Sequence, residues 1–122
     1  MALPGFVAVL AGQMAGLATY NVEGDACELV TLNSIVEGRG VGTALIEAVA
    51  SAARQEGARR LWLITTNDNT HALGFYQRRG FIMVGIHLDA IAESRRLKPE
   101  IPELGFGGVP IRDEMEMELA LD

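Results

Sequence analysis

Glu37-Gly38-Arg39-Gly40-Val41-Gly42-Thr43 is the stretch on which the fold turns. Alternate glycines at 38, 40 and 42 let the backbone aim successive N–H groups toward one point. The segment after it reads as a helix. From Gly42 to Glu56 the apolar residues Leu45, Ile46, Val49, Ala52 and Ala53 recur at helical spacing, and Gly57 stands where a C-cap glycine belongs. A glycine turn feeding a helix N-terminus, with its partial positive charge, suits a phosphate or pyrophosphate; the same turn also serves plain tight packing, and the segment alone leaves both open. Two phosphate-binding signatures fail on it. A P-loop needs a lysine after its last glycine, and Gly42-Thr43-Ala44 has none. The dinucleotide fingerprint needs a third glycine where Thr43 stands and an acid after the next strand, where Thr65-Thr66-Asn67 offers none.

Outward toward the N-terminus, Phe6–Leu10, Gly16–Val22 and Cys27–Leu32 are short apolar runs separated by turn signals at Gly12-Gln13 and Glu23-Gly24-Asp25. Three such strands predict an antiparallel meander. Toward the C-terminus, Leu61–Thr65 around Trp62 reads as a central strand, Asn69–Arg79 as a second helix ending at Gly80, and Phe81–Ile86 as another strand. Strand, helix, strand, helix, strand implies crossovers and parallel pairing at the centre. Asp89–Leu97 reads as a further helix stopped by Pro99, and Pro102–Pro110 as a long loop. Glu114–Leu121 alternates at period two, which predicts a strand with one acidic face, at an edge or under a basic neighbour.

Composition bounds the function. The 122 residues suit one domain, and 49% apolar with 21% charged residues is ordinary globular usage. A net charge of −6 argues against sequence-independent nucleic-acid binding and against anionic membranes. The lone Cys27 excludes an intrachain disulfide or a multi-cysteine metal site, and His71 and His87 lack any ligand spacing, so no metal is expected. No apolar run approaches the roughly 18 residues of a span. Met-Ala-Leu-Pro-Gly has no basic n-region, so a cytoplasmic protein is expected.

A second signature stands downstream of the glycine turn: Asn69-Thr70-His71-Ala72-Leu73-Gly74-Phe75-Tyr76-Gln77-Arg78-Arg79-Gly80-Phe81. Glu37–Thr43 resembles the acetyl-CoA-binding loop of the GNAT family of N-acetyltransferases, where Arg/Gln-x-x-Gly-x-Gly/Ala opens the long central helix. The second run resembles that family's Asn-x-x-Ala-x-x-Phe-Tyr-x-x-x-Gly-Phe helix, with a strand between the two. The resemblance extends from Leu3 to Leu121, and Arg60–Asn69 with Leu97–Glu118 are most similar to one bacterial subgroup. Two departures stand out. Glu37 occupies the Arg/Gln position and leaves donation to backbone amides and Arg39. The chain also opens at the family's first hairpin, without the strand and two helices that wall the acceptor side.

The resemblance implies an α/β fold: a mixed twisted sheet flanked by helices, antiparallel hairpins first, with acetyl-CoA in the crevice between splayed central strands. It implies transfer of acetyl to a primary amine by direct attack. Tyr76 stands at the family's general acid; a phenol with a pKa of about 10 keeps its proton at neutral pH. Core packing is its other reading. Cys27-Glu28-Leu29-Val30 resembles the family's base-bearing strand, making Glu28 the general base, or else an exposed strand residue; Asp68, His71 and Asp113 are substitutes. Asn33, Ser34 and Ile35 are expected along the pantetheine, and Glu37, Gly38, Arg39, Gly40, Val41, Gly42 and Thr43 at the pyrophosphate. On the second helix come Asn69, Ala72, Tyr76 and Arg79, with Arg78 or Arg79 for CoA phosphates. Asn69 is read as a pantetheine ligand, with Asn67 or Asp68 capping the helix; Trp62 is read as core. The partners expected are a CoA ester, an amine acceptor and a second copy joined through the N-terminal hairpin. Two other classes stay open: a CoA-binding protein without turnover, and a structural or partner-binding domain.

Overall fold

The computed structural model describes residues 3–36 and 38–121. Among these residues six strands lie in the order β1-β2-β3-β4-β6-β5 and three α-helices flank them. The strands are β1 (Gly5–Leu10), β2 (Gln13–Glu23), β3 (Ala26–Ser34), β4 (Arg60–Thr66), β5 (Ile82–His87) and β6 (Glu114–Ala120). The helices are α1 (Val41–Gln55), α2 (Thr70–Arg78) and α3 (Ala90–Leu97). The chain divides into two compact units, Met1–Leu63 with Leu119–Asp122, and Ile64–Glu118.

In the first unit β1, β2 and β3 form the expected meander, β1–β2 and β2–β3 antiparallel, and β3–β4 is parallel. The β1–β2 turn falls on Ala11-Gly12, one residue earlier than the sequence suggests. Ala11 (φ 51°) and Gly12 (φ 79°) both take positive φ, as a two-residue primed turn requires. Gly24 (φ 62°) does the same for the next hairpin. Asp25 O then accepts Arg59 N–H at 2.6 Å, tying that hairpin to the start of β4. Helix α1 buries Val41, Leu45, Ile46, Val49, Ala50 and Ala53 as one stripe. It packs on β1, β2 and β3, and the strands bury Ala18, Cys27, Leu29, Leu61 and Leu63, all under 5% exposed. Each large aliphatic chain so buried contributes about 1.5–3 kcal/mol.

The second unit buries Phe81, Ile91 and Met117. Helix α2 ends in a Schellman motif. Phe81 N–H donates to Tyr76 O (3.1 Å), Gly80 N–H donates to Gln77 O (3.1 Å), and Gly80 takes φ 95°. Of the two places expected for the acidic strand, the edge is overturned: β6 lies between β4 and β5, and its Glu116 Oε1 meets His87 Nε2 of the neighbouring strand at 3.3 Å. The Arg95 guanidinium donates to Ile101 O, Pro102 O and Ile111 O and clamps the loop after α3.

Candidate active site

In β3 the register against β2 passes from Thr31↔Thr19 to Leu29↔Tyr20, so Val30 is an extra, unopposed residue. A bulge kinks its strand and increases its twist. The parallel register with β4 covers Ala26↔Arg60, Cys27↔Leu61 and Glu28↔Trp62, ending two residues before Val30. Beyond it Thr31, Leu32, Asn33 and Ser34 continue to pair with β2, and Ile35 N–H donates to Ala15 O at 2.8 Å. The backbone of 31–35 is thereby held straight from one side. Asn33, Ser34 and Ile35 are exposed, and Ser34 Oγ donates to Val36 O at 2.9 Å.

The chain runs from there into the glycine turn. Glu37, the position of the family's Arg/Gln, lies outside the described residues. Gly38 and Gly40 both take φ 72°, a left-handed conformation that side chains resist. A Cβ at either would meet nothing within 4 Å, so the space over the turn is open. Gly40 is the N-cap of α1, and the ladder starts with Ala44 N–H donating to Gly40 O at 3.0 Å. The N–H groups of Val41 and Gly42 precede that first rung, at the positive end of a 15-residue dipole. Among the described residues no side chain caps this end, and no acid stands in its first turn. Arg39 is exposed in the turn, and Thr43 stands in the first turn of the helix.

Gly16 on β2 is a positioning residue that sequence reasoning missed. A Cβ there would stand 2.7 Å from Asn33 O and Val41 Cγ1 and 3.0 Å from Leu45 Cδ1. Its hydrogen lets the start of α1 sit down on the strands. Within an apolar strand run nothing marks that glycine; only the long-range packing does.

Glu28 is half-buried and lies opposite Asn21 on β2 and Trp62 on β4. Trp62 is a further correction, because it is not core. It faces a cavity of about 190 Å³, lined by Asn21, Glu23, Ala26, Glu28, Arg60 and Trp62. Cys27, on the opposite face of β3, is fully buried. Burial first, and the Glu56 carboxylate second, push its thiol up to about 11, so it stays protonated and is no nucleophile at neutral pH.

The second unit carries the α2 residues. Asn69 is the helix N-cap, its Oδ1 accepting Ala72 N–H at 3.2 Å. The cap therefore falls to Asn69 and not to its neighbours. Asn67 is committed elsewhere: Nδ2 donates to Pro110 O, and Oδ1 accepts from Arg112 N–H and Asp113 N–H, each at 2.9 Å. Asp68, 3% exposed, accepts Phe106 N–H at 3.2 Å. With its oxygen on the helix, Asn69 keeps two amide donors for other use. Tyr76 packs edge-on against Phe75 and Phe81, both at 5.4 Å between centroids, and burial raises its pKa above 10. Arg79 folds back on its own helix: its guanidinium lies 3.5 Å from the Phe75 ring centroid and Nη1 donates to Phe75 O at 2.9 Å. His71 is exposed, and Asp113 Oδ1 accepts Asp89 N–H. Among the described residues no group of three His, Cys, Asp or Glu is placed to hold a metal ion. No helix among them is long and apolar enough to cross a membrane.

The model of the acetyltransferase (GNAT) family matches residues 2–81. The uncharacterised protein YxbD of Bacillus subtilis is 48% identical over 103 residues, covering 84% of this chain and 65% of that protein. YdhI of the same organism is 43% identical over 121 residues, covering 98% of this chain and 76% of that one. Among solved structures, a Bacillus subtilis acetyltransferase in complex with CoA superposes with a TM-score of 0.81 at 23% identity, over 95% of this chain and 75% of its own.

Proposed function

The chain belongs to the acetyltransferase (GNAT) family, and we propose that it transfers acetyl from acetyl-CoA to a primary amine by direct attack. The observation that carries this reading is the bulge at Val30. It ends the β3–β4 register at Glu28–Trp62 while β3 runs on to Ser34 and into an open glycine turn. In this reading the segment 33–35 runs beside the pantetheine arm, Ser34 offering its backbone groups and Asn33 and Ile35 flanking it, while Ile35 N–H stays on Ala15 O. The amides of Gly38–Thr43 hold the pyrophosphate, where helix polarity favours an anion. Asn69 donates from Nδ2 while Oδ1 keeps the cap, and Ala72 leaves room beside it. Arg79 is already engaged with Phe75, so the phosphates fall to the turn and to Arg39.

The chemistry follows from proton placement. The amine must lose a proton to become a nucleophile, and Glu28 takes it, directly or through water. The nitrogen lone pair attacks the thioester carbonyl carbon; the C–N bond forms, the C–S bond breaks, the thiolate leaves with its electron pair, and the nitrogen gives up its second surplus proton to water, which in turn restores the phenol proton. Tyr76, which burial keeps protonated, supplies the proton to that sulfur. The buried, protonated Cys27 offers no acyl-enzyme route. Its free thiol suits a reducing compartment, and we assign the activity to the cytoplasm. We also propose a homodimer formed through the β1 edge.

The test is acetyl-CoA with a panel of primary amines, reading free thiol and acetylated product. Amine-dependent thiol release is expected. Saturable CoA binding with no release under any amine would reduce the protein to a CoA binder, and no CoA-induced thermal shift would leave a structural or partner-binding domain.

A further inference from the structure

We propose that the cavity on β2, β3 and β4 is a subsite for a short alkyl diamine, held between Glu23 and Glu28 against the indole of Trp62. Its role as the acceptor's anchor rests on the transferase reading above; its affinity for a diamine does not.

The registers build the site. Asn21, Glu28 and Trp62 stand side by side across the three strands, and Glu23, Ala26 and Arg60 form the next row on the same face. The residues between the rows, Cys27 and Leu61, point the other way and are 0% exposed. Ala26 puts only a methyl between the longer Glu23 and Arg60, and that short side chain makes the floor of a cavity of about 190 Å³. Asn21 Nδ2 donates to Glu23 Oε1 at 3.2 Å and steadies that carboxylate at the rim.

Charge and spacing choose the ligand. Two carboxylates face one guanidinium, so the cavity carries an excess negative charge. Glu23 and Glu28 are diagonal neighbours on paired strands, about 7–8 Å apart and somewhat less at Cβ. Two ammonium groups on a short methylene chain bridge such a span, while a monoamine answers one carboxylate and leaves the other. An anion meets two like charges. The wall is an indole, to which both cations and methylenes adhere, and Arg60 already lies 5.8 Å from its centroid. In turnover Glu28 faces the reacting nitrogen and Glu23 holds the far ammonium; Glu23 is thus a specificity residue.

Trp62 is the chain's single tryptophan, so its fluorescence reports on this cavity alone. The experiment titrates the whole chain with 1,4-diaminobutane and, separately, with butylamine, at low salt. A saturable change is expected, with the diamine bound about two- to fivefold more tightly than butylamine. Glu23→Gln, an isosteric change at an exposed position, weakens the diamine by about two- to fivefold and leaves butylamine alone. Arg60→Gln removes the like charge and tightens the diamine. In acetyl transfer, Glu23→Gln raises KM for the diamine and leaves kcat unchanged. Equal affinity for the two amines, no Trp62 response to the diamine, or the two substitutions shifting diamine affinity in the same direction overturns the site. A diamine response without any acetyl transfer supports the site and removes the transferase reading; transfer without a diamine response does the reverse.

Discussion

Tyr76 owes its place to a helix terminus. It is the residue whose carbonyl accepts Phe81 N–H in the Schellman motif, and its ring meets the Phe81 ring across that closure. The Phe-Tyr-x-x-x-Gly-Phe pattern therefore has a local folding reason, which fixes the phenol by packing and leaves its hydroxyl for chemistry. Tyr76→Phe keeps the rings and removes the proton. CoA affinity and melting temperature should stay near wild type, while turnover falls on the order of 10²-fold. Equal turnover would return the residue to packing alone. Cys27 makes a different prediction, about pH. Its thiol ionises near 9.0 when exposed and near 11 when folded, so the folded state keeps a proton that the unfolded state has lost. Stability should therefore be whole below pH 9 and decline as pH rises toward 11, by on the order of 1–2 kcal/mol. Urea midpoints at pH 8, 9, 10 and 11 measure the decline. Cys27→Ala should flatten it between pH 9 and 10, below the range in which Tyr76 adds a loss of the same sign.

At the scale of elements, the glycine turn makes the sharpest claim. Gly40 stands at φ 72° with open space over it, so Gly40→Val strains the N-cap by about 1–2 kcal/mol and puts a branched side chain where the pyrophosphate would approach. CoA affinity should drop by tenfold or more in a calorimetric titration, with the fold retained by circular dichroism. Unchanged affinity would move the phosphate site elsewhere. Helix α1 was legible because its stripe is periodic and its end is glycine, and the strands because each is a short apolar run between turn residues. The bulge was not. Leu29-Val30-Thr31 are all good strand formers, and an extra residue shows only when the partner strand is laid beside it. Nor was the fate of Asn67: it bonds residues 43 to 46 positions away, so Asn67, Asp68 and Asn69 look alike as caps until the tail folds back. Trp62 misled because a central strand has two faces, and in β4 only the Leu61–Leu63 face is core.

For the whole molecule, the strand order leaves β1 and β5 at the two ends of the sheet, and both are apolar. Strand order is a long-range property, which is why the acidic alternation of β6 left an edge and a basic neighbour both open; β5 takes the edge, and its His87 meets Glu116. The two ends are not equal as pairing surfaces. In β5 the register shift falls between Met83 and Gly85, leaving Val84 unopposed, and such a bulge on the edge strand itself spoils it as a template. In β1 the strand is regular, and the extra residue at the shift beside Ala8–Val9 is Ala15 of β2. Val7 (55%), Val9 (60%) and Met14 (54%) expose a contiguous apolar face beside that regular edge. A homodimer through β1 is the expected state, and light scattering across a concentration series should show mass rising toward twice 13.1 kDa. Val9→Lys puts a charge on that edge and should return the protein to monomer at the same concentrations, whereas Ile86→Lys on β5 should leave the dimer intact. Loss of the dimer with Ile86→Lys alone would transfer the interface to β5, and a monomer at high micromolar concentration in the wild type would remove the dimer altogether.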